Sequence, residues 1–314
     1  AFLAKINSDG VWQWANVGGV TNSGSWGVGS ISINNEELIF ATKGIIGSGG
    51  TIQSGGSSSH HLSLHKINTS TGSTVWHKSF DHYGSQVMST TGLGDLTTDD
   101  FESFYLSGVF RCGVEYDNQL VLQSSNCGVP WSKNIYVAKF HSSNGSIDWI
   151  TQTTQATHEM YVPIISISDD KIQLYSSGGW PTGNPTTFGQ YSINPSSDLI
   201  AVLSKDTGNW QGVDSYSISG FIHSISHSDN FQTIIAGNVN GVISLGNLQI
   251  TSNFETPFIA FYSAGDEDDD NDSILDEDDA CPTGDLGWTS NSTTDWDGDG
   301  CQDSGEDTDD DNDG

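Results

Sequence analysis

Residues 2–14 read FLAKINSDGVWQW. Apolar and polar positions alternate in the first strand, a polar turn follows with Gly10, and a second strand carries Trp12 and Trp14. That is the pattern of an antiparallel β-hairpin. It returns as LSLHKINTSTGSTVW ending at Trp76, IYVAKFHSSNGSIDW ending at Trp149 and LIAVLSKDTGNW ending at Trp210. A partial fifth copy, FIAFYSAGD, begins at Phe258. The turn glycines are Gly10, Gly72, Gly145, Gly208 and Gly265, spaced 62, 73, 63 and 57 residues apart. Such a period marks one supersecondary unit repeated along the chain. In the first three copies a Trp lies four residues after the glycine; Trp210 lies two after it, where Trp12 stands in the first.

Two further strands precede most hairpins. VGSISINNEELIFATKG (Val28–Gly44) has counterparts at Val162–Gly179 and Phe221–Gly237. Each unit therefore has about four antiparallel strands, too few to cover both of its own faces, so neighbours must stack. A β-propeller satisfies this by radial stacking; an open β-solenoid is the second solution. The Trp residues are expected to pack between neighbouring sheets, with a row of ligand-stacking aromatics as the other reading. Four units and a partial one are visible. Either further blades lie upstream or the Phe2–Asn16 hairpin closes the array against the last unit. The expected fold is all-β: a β-propeller-like array of four-stranded units over residues 1–264, followed by an irregular calcium-stabilised repeat segment over 265–314.

The stretches GNVNGVISLGNLQI…FIAFYSA and GVFRCGVEYDNQLVLQSS…NIYVAKFHSSNGSIDWI resemble the SBBP-type bacterial and archaeal β-propeller repeat, over most of residues 1–263. The TSTGSTVW and DTGNW pieces are more distantly similar to repeats of quinoprotein dehydrogenase propellers. The first resemblance implies an extracellular scaffold or binding role with no fixed chemistry.

Charge divides the chain in the same place. Of its 40 acidic residues, 21 lie between Asp266 and Gly314, where there is no Lys or Arg. The first 265 residues carry the other 19 against all nine basic residues, a net of −10. With so few cations, neutralisation of nucleic-acid phosphates is not available. No apolar run approaches the ~20 residues of a membrane helix.

The acids are regularly spaced. DDDNDSILDEDD fits the twelve-residue calcium loop D-x-D-x-D-G-x-x-D-x-x-(D/E) with Asp268, Asp270, Asp272, the carbonyl of Ile274, Asp276 and Asp279. DWDGDGCQDSGE fits it with Asp295, Asp297, Asp299, the carbonyl of Cys301, Asp303 and Glu306. A third loop opens with Asp309, Asp311 and Asp313. Ser273 replaces the turn glycine of the first loop, whereas Gly300 keeps it in the second. Calcium takes six to eight oxygens, which alternating carboxylates on a tight turn supply. Two carboxylates about 4 Å apart repel by roughly 1 kcal/mol even in water, so divalent ions are expected to let this segment compact. A disordered acidic tail and a halophile-type solvated surface are the other readings.

Helical flanks are missing from CPTGDLGWTSNSTT, which argues against an EF-hand pair. Asp266–Gly314 closely resembles the thrombospondin type 3 repeat. That resemblance implies calcium ions wrapped by loops with little regular secondary structure, and a bridge between Cys281 and Cys301; Trp288 is expected to be a small apolar anchor. The other two cysteines, Cys112 and Cys127, bracket GVEYDNQLVLQSS, which reads as a hairpin whose ends meet. Two local pairs suit an oxidising, extracellular setting.

Glycosylation sequons stand at Asn68, Asn144 and Asn291, with a further one at Asn271 inside the first acidic loop, expected to be bare. No nucleophile motif or phosphate loop appears; His61 and His65 share a strand face, read as a polar surface rather than a metal pair. The expectation is a secreted or cell-surface calcium-binding structural or adhesion protein, with other extracellular subunits or glycans as partners and no enzymatic activity. The alternative is an extracellular propeller enzyme acting on polysaccharide, tethered by the acidic repeats.

Overall fold

The structure is a computed structural model that describes residues 2–17, 28–34, 37–43, 45–47, 51–53, 62–82, 92–99, 102–124, 133–154, 163–168, 170–176, 185–193, 198–216, 218–227, 233–245, 248–262, 272–274, 278–281, 284 and 287–307. Among these residues there are strands and no helix. Two compact units partition the chain: Ala1–His227 with Ile234–Ala260, and Ser228–Thr233 with Phe261–Gly314.

Repeat and sheet coincide. Val28–Asn34, Glu37–Lys43, Leu62–Asn68 and Thr74–His82 are consecutive neighbours in one sheet. Gly92–Thr98, Ser103–Phe110, Asn134–His141 and Ile147–Gln152 form the second four-stranded meander. Ile164–Ile167, Lys171–Ser176, Asp198–Ser204 and Trp210–Tyr216 form the third. Ile218–His227, Thr233–Leu245 and Leu248–Tyr262 make a three-stranded fourth. The opening hairpin, Phe2–Ile6 with Trp12–Val17, is a two-stranded sheet of its own. Successive units touch through their first strands: Val28–Asn34 lies against Gly92–Thr98, which meets Ile164–Ile167, which meets Ile218–His227. A bond between the Ser32 and Thr98 hydroxyls (2.8 Å) ties the first two of these strands. This is a propeller-like array.

The four-stranded units carry added hairpins. Between the second and third strands of the first three units lie extra pairs, Ile45–Gly47 with Thr51–Gln53, Gly113–Tyr116 with Gln119–Gln123, and Thr186–Phe188 with Tyr191–Ile193. The middle pair turns at Asp117 and Asn118, both at positive φ (51° and 66°), as a two-residue type I′ turn requires. It adds itself to the preceding sheet: Val114, Glu115 and Tyr116 pair with His82, Asp81 and Phe80, giving six strands. Thr74–His82, at nine residues the longest fourth strand, supplies the edge that receives it.

Successive side chains on a strand point to opposite faces, and in the central units both faces are covered. Phe104, Leu106, Tyr136, Ala138 and Phe140 of the second unit pack with Ile39, Ala41, Leu64 and Phe80 of the first. The alternate residues Tyr105, Val109, Ile135 and Val137 pack with Ile172, Leu174, Leu199, Ala201 and Leu203 of the third. Phe104 and Phe140 stack at 4.8 Å, and Phe80 meets Phe140 edge-on at 5.9 Å. His65, read as surface, is buried and stacks on its cross-strand neighbour His77 at 6.2 Å. The first unit is covered on both sides, so the polar-face reading fails there; His61 lies outside the described residues.

The repeated Gly and Trp form a latch between units. Trp14 lies on the turn glycine of the next hairpin, Gly72, and its indole N–H donates to Thr69 O (2.8 Å). Trp76 meets Gly145 and donates to Ser142 O (3.0 Å); Trp149 meets Gly208 and donates to Lys205 O (3.2 Å). Lysines reinforce two of these contacts: Lys5 Nζ donates to the same Thr69 O (3.1 Å) and Lys66 Nζ to the same Ser142 O (3.0 Å). The receiving glycines have φ of 73°, 71° and 68°. Only glycine takes that conformation at low cost, and a Cβ there would stand 2.5–3.0 Å from the indole. The Trp residues thus pack between neighbouring units. Trp210 does not continue the series: it packs edge-on to Phe188 (4.9 Å), and Gly212 holds the latch position.

Candidate functional site

Alternating aspartates build the acidic segment from Asx turns. Asp272 Oδ1 accepts from the N–H of Ile274 (2.7 Å), Asp279 from Cys281 (2.6 Å), Asp297 from Asp299 (3.3 Å) and Asp299 from Cys301 (3.0 Å). Each carboxylate is bonded two residues ahead, the local preference of aspartate. The D-x-D-x-D spacing then brings every second carboxylate to one side. Carboxylate oxygens of Asp295, Asp297 and Asp299 lie within 4.8 Å of one another, a group that could hold a metal ion.

Asp295 is the pivot. It is buried; Oδ1 accepts from the N–H groups of Gly298 (2.7 Å) and Asp299 (3.2 Å), and Oδ2 from Gly300 N–H (3.1 Å) and Ser290 Oγ (2.6 Å). Burial alone would raise its pKa, but the bonds from Ser290 and the three backbone groups outweigh it and hold the carboxyl below its usual range. Asp297 goes the other way, pushed up by desolvation and by the charge of Asp299. The two neighbouring carboxyls are thus shifted in opposite directions.

The turn that exposes these oxygens needs positive φ. Gly298 and Gly300 supply it at 76° and 88°. Ser273, at the first loop's equivalent of Gly300, adopts φ 84° despite its Cβ. The two loops therefore share their backbone at this position although the residue differs. Gly300 has a second role: the carboxylate of Asp279 lies where its Cβ would be.

The remaining predicted ligands are placed differently. Asp303 Oδ1 accepts from Trp296 N–H (3.1 Å), and the carboxylate of Glu306 lies against Gly284. Neither belongs to the three-carboxylate group. Asp272 is buried, with its carbonyl accepting from Ser290 N–H (2.7 Å). Ala280 N–H donates to Asp299 O (2.7 Å), joining residues of the two loops. Asp268, Asp270, Asn271, Asp276, Asp309, Asp311, Asp313 and Cys127 lie outside the described residues. The spacing rule did not single out Ser290, five residues before the loop it supports.

Cys281 and Cys301 form a disulfide with Cα atoms 5.2 Å apart. Cys112 is also disulfide-bonded. Asn68, Asn144 and Asn291 are exposed, and each caps its own turn: Oδ1 accepts from Ser70 and Thr71 N–H, from Ser146 N–H, and from Thr293 N–H respectively.

No protein-family model and no curated protein matches the chain. Among solved structures, the crystal structure of BamB from Moraxella catarrhalis is similar at TM-score 0.29 and 9% identity, over 84% of this chain and 80% of that one.

Proposed function

We propose that this is a secreted or cell-surface calcium-binding structural or adhesion protein. Its propeller-like array is the binding or assembly scaffold, and residues 265–314 are a calcium-rigidified stalk of thrombospondin type 3 character. The observation that carries this reading is the group of Asp295, Asp297 and Asp299, whose oxygens converge within 4.8 Å on a backbone held by Gly298, Gly300 and the Cys281–Cys301 bridge. The donor set is all oxygen and anionic, which suits a hard cation such as calcium and not zinc. The carbonyl of Cys301 and water would complete the shell. The disulfides support an oxidising compartment, and no helix among the described residues is long and apolar enough to cross a membrane.

Calcium titration of the chain by calorimetry tests this. At least two ions per chain are expected, with one lost in the double variant Asp297→Ala, Asp299→Ala. Unchanged stoichiometry in that variant would remove the metal from this loop.

A further inference from the structure

Each junction of the array joins two rows of side chains on the third strands of neighbouring units. Alternation turns one row forward, to the unit that follows, and the other back. Leu64, Val137 and Ile200 hold the forward position in the first three units. Ile67, Phe140 and Leu203 hold the backward position, packed with the opening hairpin, the first unit and the second unit respectively. All six are at most 3% exposed.

The same two positions are exposed once each in the folded chain. The repeat places Ile259 at the forward position of the fourth unit, and it is 68% exposed. Its neighbours Phe258 and Ala260, on the opposite face of that strand, are buried. The repeat places Ile6 at the backward position of the opening hairpin; it is 50% exposed, and its cross-strand partner Trp12 is 65% exposed. One chain thus carries a bare forward face and a bare backward face, and neither covers the other.

We infer that the forward face of the fourth unit binds the opening hairpin of a second copy of this chain, Ile259 against Ile6 and Trp12, so that copies join head to tail. The occupant follows from continuity: three junctions within the chain already join a forward face to a backward one, and every copy supplies one bare face of each kind. Such an interface is heterologous and repeats into a ring or a filament. Among the described residues the fourth unit has no fourth strand, and so no indole serves this junction. The contact between copies rests on apolar surface and is weaker than the latched junctions within one. The net charge of −31 opposes it, so association strengthens with salt. No residue of the acidic segment takes part, which separates its test from that of the calcium reading.

The test is sedimentation velocity of the full chain over a range of concentrations, in chelator and raised salt, with Ile6→Lys and Ile259→Lys. Both positions are exposed, so neither variant loses buried packing. Lysine puts a charge into the contact while lowering the net negative charge, so a loss of association is not repulsion between copies. The wild-type chain is expected to form species that grow with concentration, and either variant alone to associate at least tenfold more weakly. An equimolar mixture of the two variants keeps one intact pair of faces and should give a one-to-one dimer and nothing larger. A wild-type chain that stays monomeric throughout, as it would if its own opening hairpin or another protein were the occupant, overturns the proposal. So does a single variant that associates like the wild type, or a mixture that stays monomeric.

Discussion

The two halves of this protein are ordered by opposite means. In the array, Phe140 sits among Phe80, Phe104 and Tyr116, and each junction is fastened by an indole on a glycine. In the acidic segment the buried residues include Asp272, Asp279 and Asp295, held by backbone N–H groups and a disulfide rather than apolar packing. The first depends on water leaving hydrocarbon; the second rests on hydrogen bonds to carboxylates and a covalent bridge. Perturbations that strike one should spare the other.

The largest separation is expected from Phe140→Ala. Truncating a fully buried phenylalanine costs about 3–5 kcal/mol, so denaturant unfolding of the array should shift by that amount while calcium stoichiometry stays unchanged. Loss of ions in that variant would show that the halves are coupled. The converse variant, Cys281→Ser with Cys301→Ser, opens a loop of sequence separation 20. It should cost about 3 kcal/mol, visible as faster amide exchange in 287–307 with the array's protection retained.

Acid offers a third contrast. Burial, with a smaller contribution from His77, lowers the His65 pKa from 6.5 to about 3. The unfolded chain therefore takes up the proton first: this contribution is whole above pH 6.5 and is lost as pH falls toward 3. The loss is about 1.4 kcal/mol per unit in that window, measured as the array's denaturation midpoint, and His65→Leu should flatten the slope. The smallest effect belongs to Ser273→Gly. Relieving a left-handed non-glycine residue should stabilise the first acidic loop by about 1 kcal/mol and tighten ion binding about fivefold. A weakening would mean that the serine side chain supports the loop.

How far the sequence disclosed these features follows from the range of the interactions. The Gly…Trp hairpins were legible because the turn fixes a local conformation and the strands alternate beside it. Val28–Asn34 with Glu37–Lys43, and the hairpin at Asp117–Asn118, were legible for the same reason. The addition of Gly113–Tyr116 to the preceding sheet was not, since strand pairing across units leaves no periodic mark. His65 misled because alternation on one strand cannot say whether a second layer covers it. The calcium-loop spacing located Asp295, Asp297 and Asp299 together, since adjacent Asx turns carry that information. It did not locate Ser290 or the approach of Asp279 to Gly300, which arise from the path between the loops.

The latches all point forward. Trp14 reaches an acceptor 55 residues later in the chain, Trp76 one 66 later and Trp149 one 56 later. During synthesis the donor therefore leaves the ribosome before its receiver exists. No latch can close until the hairpin that receives its indole has been made.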